Sequence, residues 1–356
     1  MVNPSPDFWL DRSVFLTGDS GFKGAWLSLW LKRMGARVSG YALDAPSEPS
    51  LFELAAKNAV WRHTHDDVRN LAGLRAAMSE AQPSIVLHLA AQALVRPSYD
   101  DPVTTYATNV MGTVNLLDAV RATDSVRAVV NVTSDKCYEN NDWHWAYRED
   151  EPMGGYDPYS SSKGCAELIT SAYRRSYFSA DTEAPALATA RAGNVIGGGD
   201  WAVDRLVPDS VRAFGAGDTV MVRNPLSTRP WQHVLDPLCG YLVLAERLAQ
   251  GPERAGYAEG WNFGPSEEDA VPVRDLIDQM VALWGGDAAW SQDADFQPHE
   301  ATYLKVDASK ARARLGWRRR LPVGEAVAWT IDWYRRHGDG ESAAELCDEQ
   351  IGRFEA

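Results

Sequence analysis

The first half of the chain alternates short apolar runs with longer segments in which apolar residues recur every three or four positions. Short apolar runs bounded by turn residues are typical of buried strands, whereas the longer periodicity is typical of helices. The predicted elements, in chain order, are residues 13–16 (strand), 24–34 (helix), 37–43 (strand), 71–80 (helix), 85–89 (strand), 110–122 (helix), 128–133 (strand), 159–177 (helix) and 187–192 (strand). Strands that alternate with helices build a parallel sheet covered on both faces. We therefore expect an α/β protein with a doubly wound, Rossmann-type parallel sheet.

The pattern changes after residue 193, and we interpret the change as the start of a second lobe. The glycines at 197–199 and the prolines within 208–230 predict loops with short elements. Residues 232–248 then have the periodicity of a helix, and residues 260–263 that of a strand returning to the first sheet. The expected division is a Rossmann domain of residues 1–195 plus about 231–264 and a smaller C-terminal substrate lobe of about 196–230 plus 265–356.

Composition and charge exclude several classes of protein. The 356 residues carry a net charge of −14, which disfavours binding to nucleic acid, and the basic cluster Arg318-Arg319-Arg320 is interpreted as a solvated surface turn. No apolar run approaches the ~20 residues that span a bilayer, and the N-terminus lacks a signal-peptide pattern, so we expect no membrane contact and a cytoplasmic location. The four cysteines are scattered, which predicts reduced thiols and no metal site.

A turn with glycines at three-residue intervals lies between the first predicted strand and the first predicted helix. It reads Thr17-Gly18-Asp19-Ser20-Gly21-Phe22-Lys23-Gly24. Glycines let the backbone turn tightly and approach a pyrophosphate, whose charge the helix N-terminus favours. The flanking strand and helix strengthen this otherwise weak motif, so a dinucleotide site is predicted. Its expected cofactor contacts are Gly18, Ser20, Gly21, Phe22 and Lys23.

Two acidic residues indicate how the adenosine half of the dinucleotide is bound. Asp44 ends the second predicted strand, 20 residues after Gly24, which is the offset at which a carboxylate receives the ribose hydroxyls. No arginine follows it to receive a 2′-phosphate, so NAD is favoured over NADP; the alternative is that Asp44 only opens a turn. Asp67 is placed to meet the adenine amino group, with a solvated turn carboxylate as the alternative.

Tyr159 and Lys163 are the candidate redox centre. They lie four residues apart at the start of a predicted helix, so their side chains share one face. A lysine ammonium stabilises a phenolate, which lowers the tyrosine pKa and lets it remove a hydroxyl proton as a hydride leaves carbon. A tyrosine and a lysine at this spacing occur often by chance. The inference depends on their position, one helix after the apolar strand that ends before Ser134.

At this point the chain resembles the extended short-chain dehydrogenase/reductase family, and within it the CDP-glucose 4,6-dehydratases. The resemblance covers nearly the whole chain. The strings that carry it are Gly21-Phe22-Lys23-Gly24, Gly40-Tyr41-Ala42-Leu43-Asp44-Ala45-Pro46, Thr133-Ser134-Asp135-Lys136-Cys137-Tyr138, Arg191-Ala192-Gly193-Asn194-Val195-Ile196-Gly197-Gly198-Gly199-Asp200-Trp201 and Arg229-Pro230-Trp231-Gln232-His233-Val234. The family implies bound NAD, a nucleotide-diphosphate sugar between two lobes, and oxidation, dehydration and reduction within one site.

The resemblance also implies a role for each matched residue. Ser134 orients the sugar 4-hydroxyl, Tyr159 is the base, and Lys163 tunes it. Asp135 protonates the departing 6-hydroxyl, and Lys136 removes the carbon-5 proton where the related dTDP-glucose enzymes have glutamate. Lys136 must be deprotonated to act, so burial or a cationic neighbour would have to lower its pKa.

Further contacts follow from the same resemblance. The additional cofactor contacts are Val68, Ala90, Gln92 and Asn109, the last supporting Lys163 through a water. The implied nucleotide and diphosphate contacts are Asn194, Arg205 and Arg229, arginine being suited to bidentate phosphate recognition. A surface salt bridge is the alternative for both arginines. His299 and Glu300 lie in a stretch that approaches the nucleotide in the family.

Two departures from the family pattern and several open functions remain. Asp19 stands where the subfamily commonly has histidine, and we expect its side chain to point away from the pyrophosphate. Ser161 stands where the family commonly has asparagine. The leading function is conversion of CDP-glucose to CDP-4-dehydro-6-deoxyglucose; the alternatives are another nucleotide-sugar dehydratase, a nucleotide-sugar 4-epimerase or decarboxylase, and a non-catalytic NAD-binding regulator. The helices at 110–122 and 159–177 would suit the interface of a homodimer, or of a dimer of dimers.

Overall fold

The computed structural model describes residues 2–178, 184–266, 269–293 and 303–356. The strands are β1 (Ser13–Thr17), β2 (Arg37–Ala42), β3 (Arg62–His65), β4 (Ile85–His88), β5 (Ala128–Val132), β6 (Ala186–Ala192), β7 (Val195–Ile196), β8 (Thr219–Val222), β9 (Thr228–Pro230), β10 (Gln232–His233), β11 (Gly260–Phe263), β12 (Ala270–Pro272) and β13 (Ala289–Gln292).

The helices alternate with these strands through the first half of the chain and predominate at its end. They are α1 (Pro6–Trp9), α2 (Phe22–Arg33), α3 (Leu71–Ala81), α4 (Val95–Asp100), α5 (Pro102–Tyr106), α6 (Gly112–Arg121), α7 (Pro158–Tyr177), α8 (Leu206–Ala216), α9 (Leu235–Ala249), α10 (Val273–Trp284), α11 (Val323–Gly338) and α12 (Ala343–Glu355). Short π-helical turns occupy Phe52–Ala56, Ala107–Met111 and Ala311–Leu315, and 3-10 turns occupy Asp135–Cys137 and Arg254–Tyr257.

A seven-stranded sheet organises the molecule, in the order β11-β6-β5-β4-β1-β2-β3. Every neighbouring pair in it is parallel. The central strands β4 and β5 are buried along their whole length because helices cover both faces. The predicted α/β class with a doubly wound, Rossmann-type sheet is confirmed. All carboxyl ends of these strands meet at one edge, where ligands bind in such sheets.

The structure differs from the predicted elements at several places. The edge strand β3 has the sequence Arg-His-Thr-His, so no apolar run predicted it. The stretch expected to be loops contains α8, an 11-residue helix in which Pro208 lies in the first turn, where a missing N–H costs nothing. The helix predicted from residue 232 begins at Leu235, because Gln232 and His233 pair with β7 as strand β10.

The C-terminal helix α12 packs against α2, the first long helix of the Rossmann domain. The ring centroids of Trp30 on α2 and Phe354 on α12 lie 5.6 Å apart, edge to face. The interpretation of 318–320 as a solvated turn is wrong for two of its arginines: Arg319 forms a 2.7 Å ion pair with Asp269, and Arg320 donates to the backbone carbonyl of Phe354. Within the described ranges, no helix is long and apolar enough to cross a membrane.

Candidate active site

The glycine-rich turn joins β1 to α2 at the carboxyl edge of the sheet. Gly18 has a φ of +75°, and a Cβ on it would lie 2.7 Å from the backbone nitrogen of Ala90. A Cβ on Gly24 would lie 2.1 Å from the carbonyl oxygen of Gly18, so the helix can start this close only with glycine. Gly21 is the N-cap of α2 and no side chain caps the helix. The first amide groups of α2 are thus left for a ligand.

The predicted adenosine contacts lie beyond the second strand. Asp44 follows β2, its side chain is 94% exposed, and its Oδ1 lies 3.3 Å from Nε2 of His65. Asp67 pairs with Arg69 at 2.6 Å, which lowers the pKa of the Asp67 carboxyl. Val68 beside it is buried against the position of Gly112. Asp44 is therefore available at the sheet edge, whereas Asp67 is engaged by its own turn.

The Ser134-Asp135-Lys136 segment forms a tight turn directly after β5. Ser134 is the N-cap of the 3-10 turn, and its Oγ accepts from the amide of Lys136 at 3.2 Å. The same hydroxyl donates to Asp135 Oδ1 at 3.0 Å. Asp135 is 2% exposed, and burial raises its pKa against the opposing charges of Lys136, Lys23 and Arg229. The segment thus presents a buried carboxyl group that holds a proton more readily than an exposed one.

Tyr159 and Lys163 face this segment from the first turns of α7. The helix begins there because Asp157 caps it and Pro158 occupies its first position. Burial raises the pKa of Tyr159 to about 12, while a hydrogen bond with Ser134 lowers it. Burial lowers the pKa of Lys163 to about 8, and its Nζ lies 3.5 Å from the carbonyl oxygen of Val132. The structure thus brings the two halves of the predicted catalytic centre together.

Three further cations lie around Asp135 and Tyr159. Lys23 lies near Asp135, Lys163 and Arg205; burial and the charge of Arg205 lower its pKa to about 8. Arg205 forms a 2.8 Å ion pair with Asp200. Arg229 is 5% exposed and acts electrostatically on Asp135. A cluster of positive charges of this kind suits an anionic ligand.

Asn109 and Gln92 form a local hydrogen-bond unit rather than a direct contact with Lys163. Asn109 Oδ1 accepts from the amide of Gln92 at 2.9 Å, and its Nδ2 donates to Ser162 Oγ at 2.8 Å and to the Gln92 carbonyl at 2.9 Å. Ala90 and Gln92 follow β4, next to the glycine-rich turn. Asn194 lies between β6 and β7, and its carbonyl accepts from Gln232 at 3.0 Å. His299 and Glu300 lie outside the described residues.

A buried ion pair between Glu167 and Arg191 lies next to the site. The sequence analysis did not predict it. Glu167 on α7 accepts from Arg191 Nε at 2.9 Å and from Arg191 Nη2 at 2.7 Å, and also from the hydroxyls of Thr133 and Thr189. Arg191 also donates to the hydroxyl of Tyr138 at 2.6 Å. Tyr138 lies two residues after the Ser134-Asp135-Lys136 segment. Burial opposes the charge of Glu167, but Arg191 holds its pKa below its usual range. The available signal was its position, four residues after Lys163.

His88 is a second buried group that the sequence did not single out. It ends β4, where its Nδ1 lies 2.6 Å from Thr17 Oγ1 and its Nε2 lies 3.5 Å from Thr113 Oγ1. Burial and the nearby charge of Lys163 lower its pKa to about 3. A histidine this far below its usual range stays neutral, so it contributes hydrogen bonds to the sheet edge rather than charge.

The chain is similar to known proteins over nearly its whole length. A family model described as GDP-mannose 4,6 dehydratase matches residues 15–330. The chain is 54% identical over 351 residues to the CDP-glucose 4,6-dehydratase of Salmonella typhimurium strain LT2, with 98% of this chain and 97% of that relative covered. It is 27% identical to the UDP-glucose 4-epimerase of Mycolicibacterium smegmatis, with 90% and 98% covered. A solved dTDP-glucose 4,6-dehydratase from Streptomyces venezuelae, with NAD and TYD bound, superposes with a TM-score of 0.76 at 23% identity, covering 93% of this chain and 99% of that one.

Proposed function

The chain belongs to the GDP-mannose 4,6 dehydratase family, and we propose that within it the protein acts on CDP-glucose. The reaction is conversion of CDP-D-glucose to CDP-4-dehydro-6-deoxy-D-glucose and water. The 54% identity to a CDP-glucose 4,6-dehydratase supports the choice of substrate. The observation that carries the reaction is the position of Asp135 and Lys136 beside Tyr159 and Lys163, since an epimerase has no use for an acid at Asp135.

NAD is the cofactor that the residues at the sheet edge fit. The glycine-rich turn has no space for a Cβ at Gly18 or Gly24, and the uncapped N-terminus of α2 leaves amides free for a pyrophosphate. Asp44 at the end of β2 offers an exposed carboxylate to two ribose hydroxyls and would repel a 2′-phosphate. When bound there, NAD would supply the hydride acceptor for carbon 4 of the sugar and the hydride donor for carbon 6.

The residues that act on carbon 4 are Tyr159, Lys163 and Ser134. Tyr159 takes the proton of the 4-hydroxyl, and Ser134, which hydrogen-bonds Tyr159, orients that hydroxyl. Because burial raises the pKa of Tyr159 to about 12, the phenolate needs a neighbouring positive charge to form. Arg205 lowers the pKa of Tyr159, and in the proposed reaction the Lys163 ammonium adds to this positive charge. Asn109 holds the start of α7 in place through Ser162.

Asp135 and Lys136 act on carbons 6 and 5. Asp135 gives its proton to the 6-hydroxyl, which leaves as water when the bond to carbon 6 breaks. Its burial and raised pKa suit a carboxylic acid that must start protonated. Lys136 takes the proton from carbon 5, and the electron pair of that bond forms the new double bond between carbons 5 and 6. The proposal is supported by the half-buried position of Lys136 beside Asp135 on the same turn.

Arg229 and Arg205 are the proposed contacts of the nucleotide diphosphate, with Asn194 beside them. Both arginines act on residues of the catalytic centre, Arg229 on Asp135 and Arg205 on Tyr159. A guanidinium group at such a site can bind two phosphate oxygens at once. We assign residues 1–195 with about 231–264 to NAD and about 196–230 with 265–356 to the nucleotide sugar.

Incubation of the purified protein with CDP-, dTDP-, UDP- and GDP-linked glucose tests this function. The proposal predicts that the CDP compound loses the mass of one water, with the other three reacting more slowly. An unchanged mass together with formation of CDP-galactose would make the protein a 4-epimerase. Turnover of none of them while NAD binds would make it a non-catalytic NAD-binding protein.

A homodimer is the proposed assembly. Helix α7 and the turn before α6 leave large apolar side chains exposed: Met111 is 51% exposed and Leu168 is 61% exposed. Such a surface is costly to leave in water. Sedimentation of the wild type as a dimer, and of Leu168→Glu as a monomer, is the expected result. The four cysteines are free thiols, which supports the reducing cytoplasm as its location.

A further inference from the structure

A carboxylate lies inside the glycine-rich turn and is paired with a histidine on the edge strand. Asp19 is fully buried, and its Oδ2 lies 2.7 Å from Nδ1 of His63, which is on β3 and partly exposed. The other carboxylate oxygen of Asp19, Oδ1, is buried and has no hydrogen-bond partner. The side chain of Asp19 does not cap α2. Its charge is instead directed at the imidazole of His63.

The surrounding backbone holds this pair in place. Gly40 on β2 is in register with His63, and a Cβ on Gly40 would lie 2.0 Å from Asp19 Oδ2. A Cβ on Gly24 would lie 2.7 Å from the Cα of Asp19. The turn, the start of α2 and the carboxylate therefore form one packed unit. Asp19 cannot swing into solvent without moving the backbone that is proposed to hold the pyrophosphate.

The charge on this unit depends on the protonation of His63. The groups that face His63 are Asp19 in the turn, the ring of Phe52 at 5.0 Å, and Glu53 and Lys57 from the neighbouring turn. The hydrogen bond to Asp19 raises the pKa of His63, although burial opposes this. Nδ1 carries a hydrogen in the imidazolium form and in the corresponding neutral tautomer. Loss of the proton therefore changes the charge while the hydrogen bond stays.

We propose that His63 determines how tightly the turn holds the NAD pyrophosphate, by neutralising Asp19 while it is protonated. A pyrophosphate carries two negative charges, and a neutral ion pair behind the turn does not repel them. When His63 loses its proton, the carboxylate of Asp19 stays buried behind the same amides and repels the ligand. NAD affinity then falls as pH rises through the pKa of His63. This inference rests on the proposed placement of NAD on the turn of residues 17–24.

The test is calorimetric titration of the full-length protein with NAD between pH 6 and pH 9. Lys23 and Lys163, whose pKa values are about 8, also lose charge in this range, so the comparison is between variants. Asp19→Asn keeps both lysines and removes the buried charge. Both proteins should lose NAD affinity between pH 6 and pH 9. The fold-loss of Asp19→Asn should be smaller than that of the wild type by about fivefold to tenfold, which is the effect of one nearby charge. At pH 9 it should bind NAD more tightly than the wild type does.

His63→Gln should have the opposite phenotype, with weak NAD binding already at pH 6. His337→Gln on α11 is the matched control, and its NAD affinity should follow that of the wild type at each pH. Parallel pH profiles for the wild type and Asp19→Asn would overturn the inference. If the variants fold poorly, NMR titration of His63 in the wild type gives a second measure: bound NAD should raise its pKa, and an unchanged pKa would equally overturn the inference. Neither measurement depends on the sugar substrate. The Asp44 test described below reports separately on where NAD lies.

Discussion

Ser134 Oγ donates a 3.0 Å hydrogen bond to Oδ1 of Asp135, while Oδ2 of the same carboxyl is buried without a hydrogen-bond partner. The bond fixes the orientation of the carboxyl group and leaves Oδ2 facing Gly193, where a Cβ would come within 2.8 Å. Burial raises the pKa of Asp135, and an open oxygen on such a carboxyl group suits transfer of a proton to a leaving hydroxyl. In the proposed reaction, Ser134, which orients the 4-hydroxyl, thus also positions the acid for carbon 6.

Replacement of Tyr159 by phenylalanine removes the proposed base and little else. Tyr159→Phe should keep the fold and the bound cofactor, because the ring remains and only a hydroxyl is lost. Turnover of CDP-glucose should drop by the ~10²–10⁴-fold typical of a lost acid-base group. Steady-state kinetics beside Tyr177→Phe, at the far end of the same helix, measures this. Activity within a factor of ten of the wild type would place the base elsewhere.

Removal of the Asp44 carboxylate should weaken NAD binding. It should leave the sheet unchanged, since the side chain is 94% exposed. A lost hydrogen bond to a charged group costs ~1.5–3 kcal/mol, so Asp44→Ala should raise the NAD dissociation constant by roughly tenfold to a hundredfold. The wild type should bind NADP far more weakly than NAD. Titration calorimetry checks both, with Asp7→Ala as the surface control. Equal affinities for the two cofactors would remove Asp44 from the ribose site.

The Glu167–Arg191 pair should dominate the stability of the region around the site. Glu167→Gln leaves Arg191 buried without its counter-charge, which costs ~3–5 kcal/mol in unfolding free energy. The exposed pair of Arg33 and Asp348 offers the control Asp348→Asn, expected to cost at most ~1 kcal/mol. Urea denaturation of the three proteins gives the comparison. Equal stabilities would mean that neighbouring groups compensate for the lost charge.

The same pair predicts how stability depends on pH. Because the pKa of Glu167 is lowered in the folded state, its contribution is fully present above the unfolded value and is lost as pH falls through the folded one. Acid should therefore destabilise the wild type more steeply than Glu167→Gln. Denaturation midpoints between pH 7 and pH 3 give the two slopes. Slopes that coincide would show that Glu167 is not ionised in the folded protein.

Much of the fold follows from local patterns. Buried strands such as β4 and β5 are continuous apolar runs, so the alternation of strands and helices was readable along the chain. Strand β3 could not be predicted in this way, because an edge strand needs few apolar residues when only backbone pairing holds it. Helix α8 was not predicted because it contains Pro208. Proline is tolerated in the first turn of a helix, but in a sequence it ordinarily indicates a loop.

The site was predictable where its residues are close in sequence. The turn of residues 17–24, the Ser134-Asp135-Lys136 segment and the Tyr159/Lys163 pair each form a local motif. The pairing of Asp19 with His63 joins residues 44 positions apart through the register of two strands, and no spacing rule indicates it. Arg191 joins the catalytic segment through Tyr138, 53 positions away. Such contacts depend on the packed sheet.

The central claim is that Asp135 and Lys136 eliminate water after Tyr159 and Lys163 have enabled oxidation. Asp135→Asn and Lys136→Met separate the two stages, because each leaves the oxidation residues intact. Stopped-flow absorbance of the bound cofactor, after mixing with CDP-glucose, measures them directly. The account predicts that reduced cofactor appears and persists, since water loss is slowed by ~10²-fold or more and carbon 6 offers no acceptor. Dehydration at the wild-type rate in both variants would contradict it.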